Sequence, residues 1–479
     1  MTPLFSLRDG WPVTFGRAAF AVLALALGLV ACQPVGSEAP PEPSLVVEGG
    51  RVIVGDGRVL EEASVATAGD SILSVTTDSV EADGARRIDA SGKTVFPGLI
   101  DAHVHLTIPR GGRDSTALAR HLEENVPEIL RGFLEHGVTT VRSTGEYWPA
   151  GRKLKGQIAS GKLEGPRLIT SGPLLTAEGG HPASTVCTGA FSEAPTQENP
   201  DPFCRSRLAR EVTRSKEARE AAEKLAKEGA DFIKVVSDSV NAPVQIKDQV
   251  VKAIVGEAHE EGLRAVGHVF NASHAGTYAK MGMDGFVHPP WGGLVYPKPV
   301  SEETMQDFGQ RLAGQNAPVT TTLSAGLLFQ SGGTNAKQIR STLEGKSSAA
   351  KLIKAVAREI AVFEEAGVPI VVGTDWWSGE PTDHPAVQPG MVTITEMKML
   401  RRWGSMSEES VLQAATSNAA QALGMSDEVG TVEAGKRADL IVVKSNPLED
   451  LSALEDPEMV VKGGDVVAGS PKEKTGSTR

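Results

Sequence analysis

The stretch Pro97-Gly98-Leu99-Ile100-Asp101-Ala102-His103-Val104-His105 decides how this chain is interpreted. The Pro-Gly pair interrupts the preceding structure, and a short apolar run then ends in the pattern His-x-His. Because side chains on a β-strand alternate between two faces, His103 and His105 point to the same side. Two imidazoles in this arrangement can reach one metal ion. The stretch therefore predicts a buried strand with two metal-ligating histidines at its carboxyl end.

Beyond this stretch the chain alternates strand and helix patterns. The strand candidates are 98–103, 138–142, 166–171, 231–236, 264–269, 284–288, 318–323 and 369–374. Periods near 3.6 predict helices at about 116–136, 152–160, 215–229, 247–262, 271–282, 301–314, 346–367 and 390–403. Eight strands, each followed by a helix, favour an α/β fold with a closed (β/α)8 TIM-like barrel. The alternative is an open doubly wound sheet, which predicts a glycine-rich phosphate loop after the first strand, and residues 103–108 contain none.

Short strand patterns at both ends of the chain predict a second, smaller domain. One set lies around the turn signal Asp56-Gly57, and a similar set lies at 438–443 and 459–467. Neither set is long enough for a core of its own, so we expect both to pair in one composite β-sandwich. The predicted order is an amino-terminal sandwich segment at 45–96, the barrel at 97–425, a carboxyl-terminal sandwich segment at 426–470 and a polar tail at 471–479.

The composition is that of a soluble globular enzyme, with 479 residues, 40% hydrophobic and 23% charged. The net charge of −12 and the lack of a basic patch argue against a nucleic-acid partner. We expect a small-molecule substrate, and a homo-oligomer stays open.

The amino terminus predicts export. The apolar run 18–30 suits a signal peptide and is too short to span a bilayer, which takes about 20 residues. It ends Leu29-Val30-Ala31-Cys32, which resembles a bacterial lipobox, where cleavage after residues 1–31 precedes a lipidated Cys32. An ordinary secretory signal is the alternative. Residues 32–44 are rich in proline and predict a tether. We therefore expect a membrane-anchored lipoprotein, at the outer membrane facing the periplasm.

The two other cysteines, Cys187 and Cys204, lie in one polar segment. Because export implies an oxidising compartment, we expect them to form a disulfide. A metal site is the alternative, but no nearby cysteine or histidine completes a tetrahedral set.

Titratable side chains collect at the carboxyl ends of the predicted barrel strands, where barrel enzymes carry their sites. They are His103, His105, Lys234, His268, His288 and Asp375. Barrel closure brings the eighth strand beside the first, so we expect Asp375 near His103 and His105. Lys234 shares a strand face with Phe232 and should point into the barrel. Burial there would lower the pKa of its amine and leave it nucleophilic.

In combination these motifs resemble those of the amidohydrolase superfamily, in its prolidase- and imidazolonepropionase-like branch. The matching features are PGLIDAHVH at 97–105, ADFIKVV at 230–236, VGHV at 266–269, His288, GTD at 373–375 and GTVEAGKRADLIVVKSNP at 430–447. The resemblance covers residues 45–470. It implies a (β/α)8 barrel with a composite β-sandwich and a metal centre, often of two zinc ions.

The resemblance also implies a role for each residue. A carboxylated Lys234 would bridge two Zn²⁺ ions, with His268 and His288 holding the second. Asp375 would bind metal, take a proton from the attacking water and pass it to the leaving nitrogen. His181, in Gly179-Gly180-His181, corresponds to a histidine near the substrate. The chain departs from the family pattern at Pro289, after His288, and at Ser237-Asp238-Ser239, after Lys234.

We therefore expect a metal-dependent hydrolase that cleaves an amide or peptide C–N bond with metal-activated hydroxide, with dipeptides and N-acyl amino acids as candidate substrates. Lactone or ester hydrolysis and deamination stay open. A non-catalytic ligand-binding lipoprotein is the alternative outside enzymes, but it predicts missing ligands, and all six positions are filled.

Arg142 and His384 are weaker site candidates. Arg142 could read a substrate carboxylate, although a structural ion pair is favoured, and His384 could lie at the rim of the site. The histidines on predicted helices are expected to be structural or solvated, namely His121, His136, His259 and His274.

Overall fold

The computed structural model describes residues 41–109, 114–188, 201–238, 244–290, 301–330, 335–377 and 384–469. Cys32, the predicted signal peptide and most of the predicted tether lie outside these residues, as does the polar tail. Among the helices that are described, none combines the length and apolar character needed to cross a membrane.

The β-strands of the described residues are β1 Leu45–Ile53, β2 Val59–Ala68, β3 Ser71–Thr76, β4 Arg86–Asp89, β5 Thr94–Pro97, β6 Leu99–His105, β7 Val138–Ser143, β8 Arg167–Thr170, β9 Leu174–Thr176, β10 Ala209–Glu211, β11 Phe232–Val236, β12 Arg264–His268, β13 Phe286–Val287, β14 Val319–Thr320, β15 Ile370–Val371, β16 Trp376–Trp377, β17 Leu440–Val443, β18 Met459–Lys462 and β19 Asp465–Gly469. Their α-helices are α1 Ser115–Arg120, α2 Val126–Glu135, α3 Ala150–Ala159, α4 Pro202–Leu208, α5 Ser215–Lys227, α6 Asp248–Glu260, α7 Ala272–Lys280, α8 Glu302–Ala313, α9 Ala336–Leu343, α10 Ser348–Glu365, α11 Met391–Met399, α12 Glu408–Ala414 and α13 Ser417–Leu423. Single π-helical turns follow α1 and α11, at His121–Asn125 and Leu400–Gly404.

All eight predicted barrel strands are present and parallel. They form two sheets, with the orders β16-β6-β7-β8 and β10-β9-β11-β12-β13-β14-β15. Backbone hydrogen bonds connect the sheets on both sides. Asp231 N, just before β11, donates to Thr170 O of β8 at 2.8 Å, and Ala102 N of β6 donates to Val372 O, just after β15, at 3.0 Å. The segment between β15 and Asp375 therefore lies beside β6, the strand that carries His103.

Helices cover the outside of these parallel strands and bury their apolar faces there. In α10 the buried residues Ile353, Val356, Ile360 and Phe363 recur at helical spacing and join the main hydrophobic core. Each such side chain contributes about 1.5–3 kcal/mol when fully buried. The helix begins at Ser347, whose hydroxyl accepts a hydrogen bond from Ala350 N at 3.0 Å. The eight predicted helical regions are all helical, while α4, α9, α12 and α13 were not predicted.

Strands from both ends of the chain join in a separate mixed sheet. Its order is β19-β18-β17-β5-β1-β2-β3, and β4 also pairs with β1. Its buried apolar residues form one cluster that contains Val47 and Val65 from the amino-terminal segment and Leu440 and Val461 from the carboxyl-terminal segment. The pairing of the two chain ends thus follows the sequence-based prediction.

An ion pair and a glycine tie this sheet to the start of β6. Arg167 Nη1 donates to Asp439 Oδ2 at 2.7 Å, and the Asp439 carbonyl accepts from Gly98 N at 2.9 Å. A Cβ atom at Gly98 would lie 2.1 Å from Thr139 Oγ1. Only glycine fits this crossing, which gives the Pro97-Gly98 pair its structural reason.

Candidate metal centre

Three donor atoms from β6 and the loop after β15 converge at the carboxyl end of the parallel strands. His103 Nε2 lies 3.3 Å from His105 Nε2 and 3.2 Å from Asp375 Oδ1, and His105 Nε2 lies 3.1 Å from the same oxygen. Tetrahedral ligands at about 2.0–2.1 Å from a zinc ion stand about 3.3–3.4 Å apart. The three donors are therefore spaced as ligands of one cation.

The backbone of the Gly373-Thr374-Asp375 turn holds the carboxylate in this position. Asp375 N donates to His103 O at 2.8 Å. Asp375 has φ +55°, a left-handed conformation that costs a non-glycine residue energy and recurs at functional sites. A Cβ atom at Gly373 would lie 2.5 Å from Thr320 Cγ2 and 2.9 Å from His103 N, so the turn can pass β6 only with glycine there.

The rings of the two histidines are oriented differently. His105 Nδ1–H donates to Gly145 O at 3.3 Å, so Nε2, which faces Asp375, carries the free electron pair. His103 is buried, and its Nδ1 is without a hydrogen-bond partner among the described residues.

Lys234, His268 and His288 form the other half of the site, at the ends of β11, β12 and β13. All three side chains are buried. The ring centroids of His268 and His288 lie 4.6 Å apart, and those of His103 and His288 lie 4.9 Å apart. The ligand atoms of His103, His288 and Asp375 all lie within 4.8 Å of one another, so the two halves are contiguous.

The individual ligand atoms of this half fit metal binding. His288 has φ +67°, and its Nδ1 shares a 2.8 Å hydrogen bond with Thr322 Oγ1, which turns Nε2 toward the site. His268 Nε2 is buried and has no hydrogen-bond partner among the residues described. A buried polar atom without a partner is costly, and a bound cation would satisfy it.

The protonation states also suit a cation. Burial lowers the pKa values of His103, His268 and Lys234 well below their usual ranges, and that of His288 to about 3. Burial alone would raise the pKa of Asp375, but the interactions with His103 and His105 outweigh it and lower that pKa well below its usual range. Neutral imidazoles, a neutral amine and an ionised carboxylate are the forms that coordinate metals.

His181 lies against the second half of the site. Its ring stacks on that of His268, with centroids 5.1 Å apart, and its Nδ1 shares a 2.6 Å hydrogen bond with Thr185 Oγ1. Burial lowers its pKa to about 4, so the ring is neutral at pH 7. Its placement beside His268 is compatible with the predicted contact to substrate.

The disulfide between Cys187 and Cys204 is present, with an S–S distance of 2.06 Å. Both cysteines are buried with Ile108, Tyr147 and Leu174. Cys187 N donates to Pro182 O at 3.1 Å, so the bridge ties the turn that follows His181 to α4.

The structure gives Arg142 and His384, the two weaker site candidates, partners outside the six predicted ligands. Arg142 is buried, donates from Nε to Ala102 O at 2.8 Å and from Nη2 to Thr320 Oγ1 at 3.3 Å, and lies over the Phe232 ring. Arg142 therefore connects parallel strands. Its hydrogen-bond partners are a backbone carbonyl and a hydroxyl, whereas the sequence favoured an ion pair. His384 caps a short 3-10 turn and lines a cavity of about 610 Å³ that contains none of the six predicted ligands.

The remaining histidines have structural partners. His121 Nε2–H donates to Leu106 O at 2.8 Å, and His136 Nδ1–H donates to Gly132 O at 2.9 Å. His259 Nε2 lies 2.9 Å from Asp284 Oδ2, and His274 Nδ1 lies 3.8 Å from Asp238 Oδ2. Ser237 and Asp238, where the chain departs from the family pattern, bond to Tyr278 and to the backbone of Phe270, and Ser239 lies outside the described residues.

Three buried carboxyl groups around the site were not predicted as functional, namely Asp101, Glu146 and Glu396. Asp101 accepts from His103 N and Thr374 N, Glu146 from the backbone and hydroxyl of Thr107, and Glu396 from the loop after β14. For Asp101 a signal existed, because it shares the strand face of His103 and His105. For Glu396 the signal is a single acid within the apolar helix α11.

Sequence comparison relates this chain to known hydrolases. A sequence profile described as "Amidohydrolase family" matches residues 94–467. Ochratoxinase of Aspergillus niger is 26% identical over 464 residues, covering 88% of this chain and 86% of the relative. Imidazolonepropionase of Shouchella clausii (strain KSM-K16) is 25% identical over 469 residues, covering 88% and 89%.

Two solved structures extend the comparison to the fold. A Xaa-Pro dipeptidase with bound methionine in the active site has a TM-score of 0.70 and 26% identity, covering 88% of this chain and 99% of that one. A prolidase complexed with N-methylphosphonate-L-proline has a TM-score of 0.71 and 25% identity, covering 89% and 100%. The chain belongs to the amidohydrolase family and is a hydrolase that acts on carbon–nitrogen bonds.

Proposed function

We propose that this protein is a two-zinc amidohydrolase that cleaves the amide bond of dipeptides or N-acyl amino acids. The observation that carries the proposal is the convergence of His103 Nε2, His105 Nε2 and Asp375 Oδ1 at 3.1–3.3 Å, next to the buried Lys234, His268 and His288. Nitrogen and oxygen donors in this number suit zinc.

The fold that presents the site is, in this proposal, a closed (β/α)8 barrel with a β-sandwich. Hydrogen bonds from β8 to β11 and from β15 to β6 support closure. The mixed sheet formed by strands from both ends of the chain buries Val47, Val65, Leu440 and Val461 in one cluster, which supports a sheet that folds over itself into two layers.

Each predicted ligand has a role in the proposal. His103, His105 and Asp375 would hold one ion, His268 and His288 would hold the second, and a carboxylated Lys234 would offer its two oxygens to both. Carboxylation forms a bond between the neutral Lys234 nitrogen and the carbon of CO2 and releases one proton; burial of the amine supports it.

The chain's own residues would bind the substrate and move the proton. The chemistry that divalent cations supply at such a site is a lowered pKa of water and a polarised carbonyl. Asp375 takes the proton from the attacking water and transfers it to the leaving nitrogen, a type of catalysis that contributes roughly 10²–10⁴-fold. The neutral ring of His181 contacts the substrate beside His268.

The names of similar proteins support this choice of substrate class. A Xaa-Pro dipeptidase, a prolidase and an ochratoxinase are among the similar proteins. We further propose export as a lipoprotein anchored through Cys32, which would give the enzyme periplasmic or surface substrates.

The test combines metal analysis with a substrate panel. Protein purified without chelator should contain about two zinc ions per chain, and chelation should abolish an activity that zinc restores. The panel consists of dipeptides including Xaa-Pro, N-acyl amino acids, lactones, esters and amino-heterocycles, with amine, acid and ammonia release measured separately.

Two variants sharpen this test. D375N should lose activity, whereas D465N, which changes an exposed aspartate on β19, should retain it. Turnover of lactones alone or ammonia release alone would contradict amide hydrolysis, and a metal-loaded protein that turns over nothing on the panel would favour a ligand-binding role.

A further inference from the structure

Glu396 is a buried carboxyl group that touches none of the predicted ligands. It lies in α11, and its side chain accepts hydrogen bonds from the loop that follows β14. Oε1 accepts from Thr321 Oγ1 at 2.6 Å and from Leu323 N at 2.7 Å, and Oε2 accepts from Ser324 N at 2.6 Å. Three donors from four consecutive positions of the loop thus converge on one side chain.

The same loop orients His288. The backbone of β14 continues alongside β15 as far as Thr322, whose N donates to Gly373 O at 2.9 Å. Beyond that point the amides of Leu323 and Ser324 are taken by Glu396. Thr322 lies between these two sets of bonds, has φ +52°, and shares a 2.8 Å hydrogen bond through Oγ1 with His288 Nδ1.

We propose that Glu396 is a positioning residue for the half of the metal centre that contains His288. It fixes the loop Thr321–Ser324, the loop fixes the hydroxyl of Thr322, and that hydroxyl fixes the ring orientation that turns His288 Nε2 toward the metal. This inference rests on the two-metal function proposed above and adds the residue that sets the affinity of one of the two ions.

The half of the site that contains His103 and Asp375 is connected to a different residue of the same helix, α11. Thr393 Oγ1 donates to Asp101 Oδ2 at 2.8 Å, and Asp101 Oδ1 accepts from His103 N and Thr374 N. Glu396 bonds to neither His103 nor Thr374, and its loop contacts the turn of Asp375 through hydrogen bonds from Thr321 and Thr322 to Gly373 O, so its effect should fall mainly on the metal held by His288. A purely structural role would weaken binding of both ions together with global stability.

Four variants test the proposal. E396Q keeps the shape of the side chain but offers one acceptor oxygen where three donors need two. T322V removes only the hydroxyl that contacts His288, and T322S retains it. D439N is the matched control, because Asp439 is also a buried carboxyl that accepts a backbone N–H and a side-chain donor, in the ion pair with Arg167.

The measurement is a zinc titration of each full-length variant against a chromophoric chelator in bicarbonate buffer, with unfolding midpoints recorded in parallel. We expect the wild-type chain, T322S and D439N to bind both ions alike. E396Q and T322V should bind one ion normally and the other about 10- to 100-fold more weakly. D439N should lower the unfolding midpoint without this loss.

Several results would overturn the proposal. They are two ions bound with wild-type affinity by E396Q and T322V, equal weakening in T322S and T322V, or equal weakening of both ions in E396Q. If E396Q does not fold, T321V replaces it, because it removes the Thr321 hydroxyl that donates to Glu396, and the same weakening of one ion is expected. A wild-type chain that binds no zinc overturns the proposed function as well, whereas a two-zinc wild type with unaffected variants overturns this inference alone.

Discussion

Replacing Asp101 tests how the first half of the metal centre is held. The carboxylate is buried in β6 and accepts four hydrogen bonds, from His103 N at 3.2 Å, Thr374 N at 3.1 Å, Thr374 Oγ1 at 2.9 Å and Thr393 Oγ1 at 2.8 Å. It therefore joins the strand that carries His103 to the turn that carries Asp375, with α11 behind them.

The expected cost follows from those donors. In D101A the buried His103 N–H loses its acceptor, whereas Thr374 N keeps a second acceptor, His103 O, at 3.3 Å, so the variant should lose about 1–3 kcal/mol of unfolding free energy. The two hydroxyls can rotate to other acceptors and add little. In D101N the amide oxygen still faces both N–H groups, so the loss should be about 1 kcal/mol.

Urea unfolding of the metal-free protein measures these losses. Tryptophan fluorescence is a suitable signal because Trp376 is buried and its N donates to Thr374 Oγ1 at 3.2 Å. The control is D83A, which removes an exposed aspartate in a turn and should leave the midpoint unchanged. A D101A variant within about 0.5 kcal/mol of the wild type would refute the reasoning, because the buried His103 amide cannot lose its acceptor at that cost.

Four further predictions concern separate parts of the molecule. K234A should lose metal and activity, and a short-chain carboxylate should partly restore both; a metal-loaded crystal structure with an unmodified amine pointing away from the ions would contradict this. The double variant C187S/C204S should lose about 3 kcal/mol of unfolding free energy, because the bridge closes a loop of 17 positions. Calorimetry measures this loss, and an unchanged unfolding midpoint would contradict the prediction. Burial raises the pKa of Glu396 from 4.5 to about 7, so the folded state binds this proton more tightly than the unfolded state does. The resulting stabilisation of the folded state, about 3 kcal/mol, is complete below about pH 4.5 and is lost as the pH rises through 7. Metal-free wild type should therefore show this decline in urea unfolding and E396Q should not, and parallel profiles would contradict it. C32S should block lipidation and mislocalise the protein, and mass spectrometry of the native amino terminus checks it, with an unmodified start beyond residue 32 as the opposing result.

The architecture was predictable because periodicity repeats over many residues. All eight predicted barrel strands and all eight predicted helical regions are present, in the predicted order. Short strands were the least regular: β13, β14 and β15 have two residues each, although their predicted runs were longer. The run 318–323 ends early because Thr322 takes a left-handed conformation that breaks the strand pattern.

The positions of the candidate ligand atoms were predictable where strand alternation and the adjacency of strands applied together. Alternation along β6 places His103 and His105 on one face, and the hydrogen bond from Ala102 N to Val372 O brings the segment before Asp375 beside them; the distances of 3.1–3.3 Å agree with both expectations. The position of Arg142 was not predictable, because its partners, Ala102 O and Thr320 Oγ1, are a backbone carbonyl and a hydroxyl on other strands, which leave no charge pattern in the sequence.

Asp101 and Glu396 hold the backbone next to the candidate ligands, so the site depends on residues that are not ligands themselves. Asp375, His288 and Thr322 all have positive φ values, and each such residue costs about 1–3 kcal/mol. Hydrogen bonds contribute about 0.5–1.5 kcal/mol each, so the four bonds to Asp101 and the three bonds to Glu396 are together of the size needed to offset that strain. Both carboxyls connect to α11, Asp101 through Thr393 and Glu396 as a residue of the helix. A substitution in α11 that removes either bond should therefore relax one strained turn and weaken one half of the centre, although no residue of the helix is itself a predicted metal ligand.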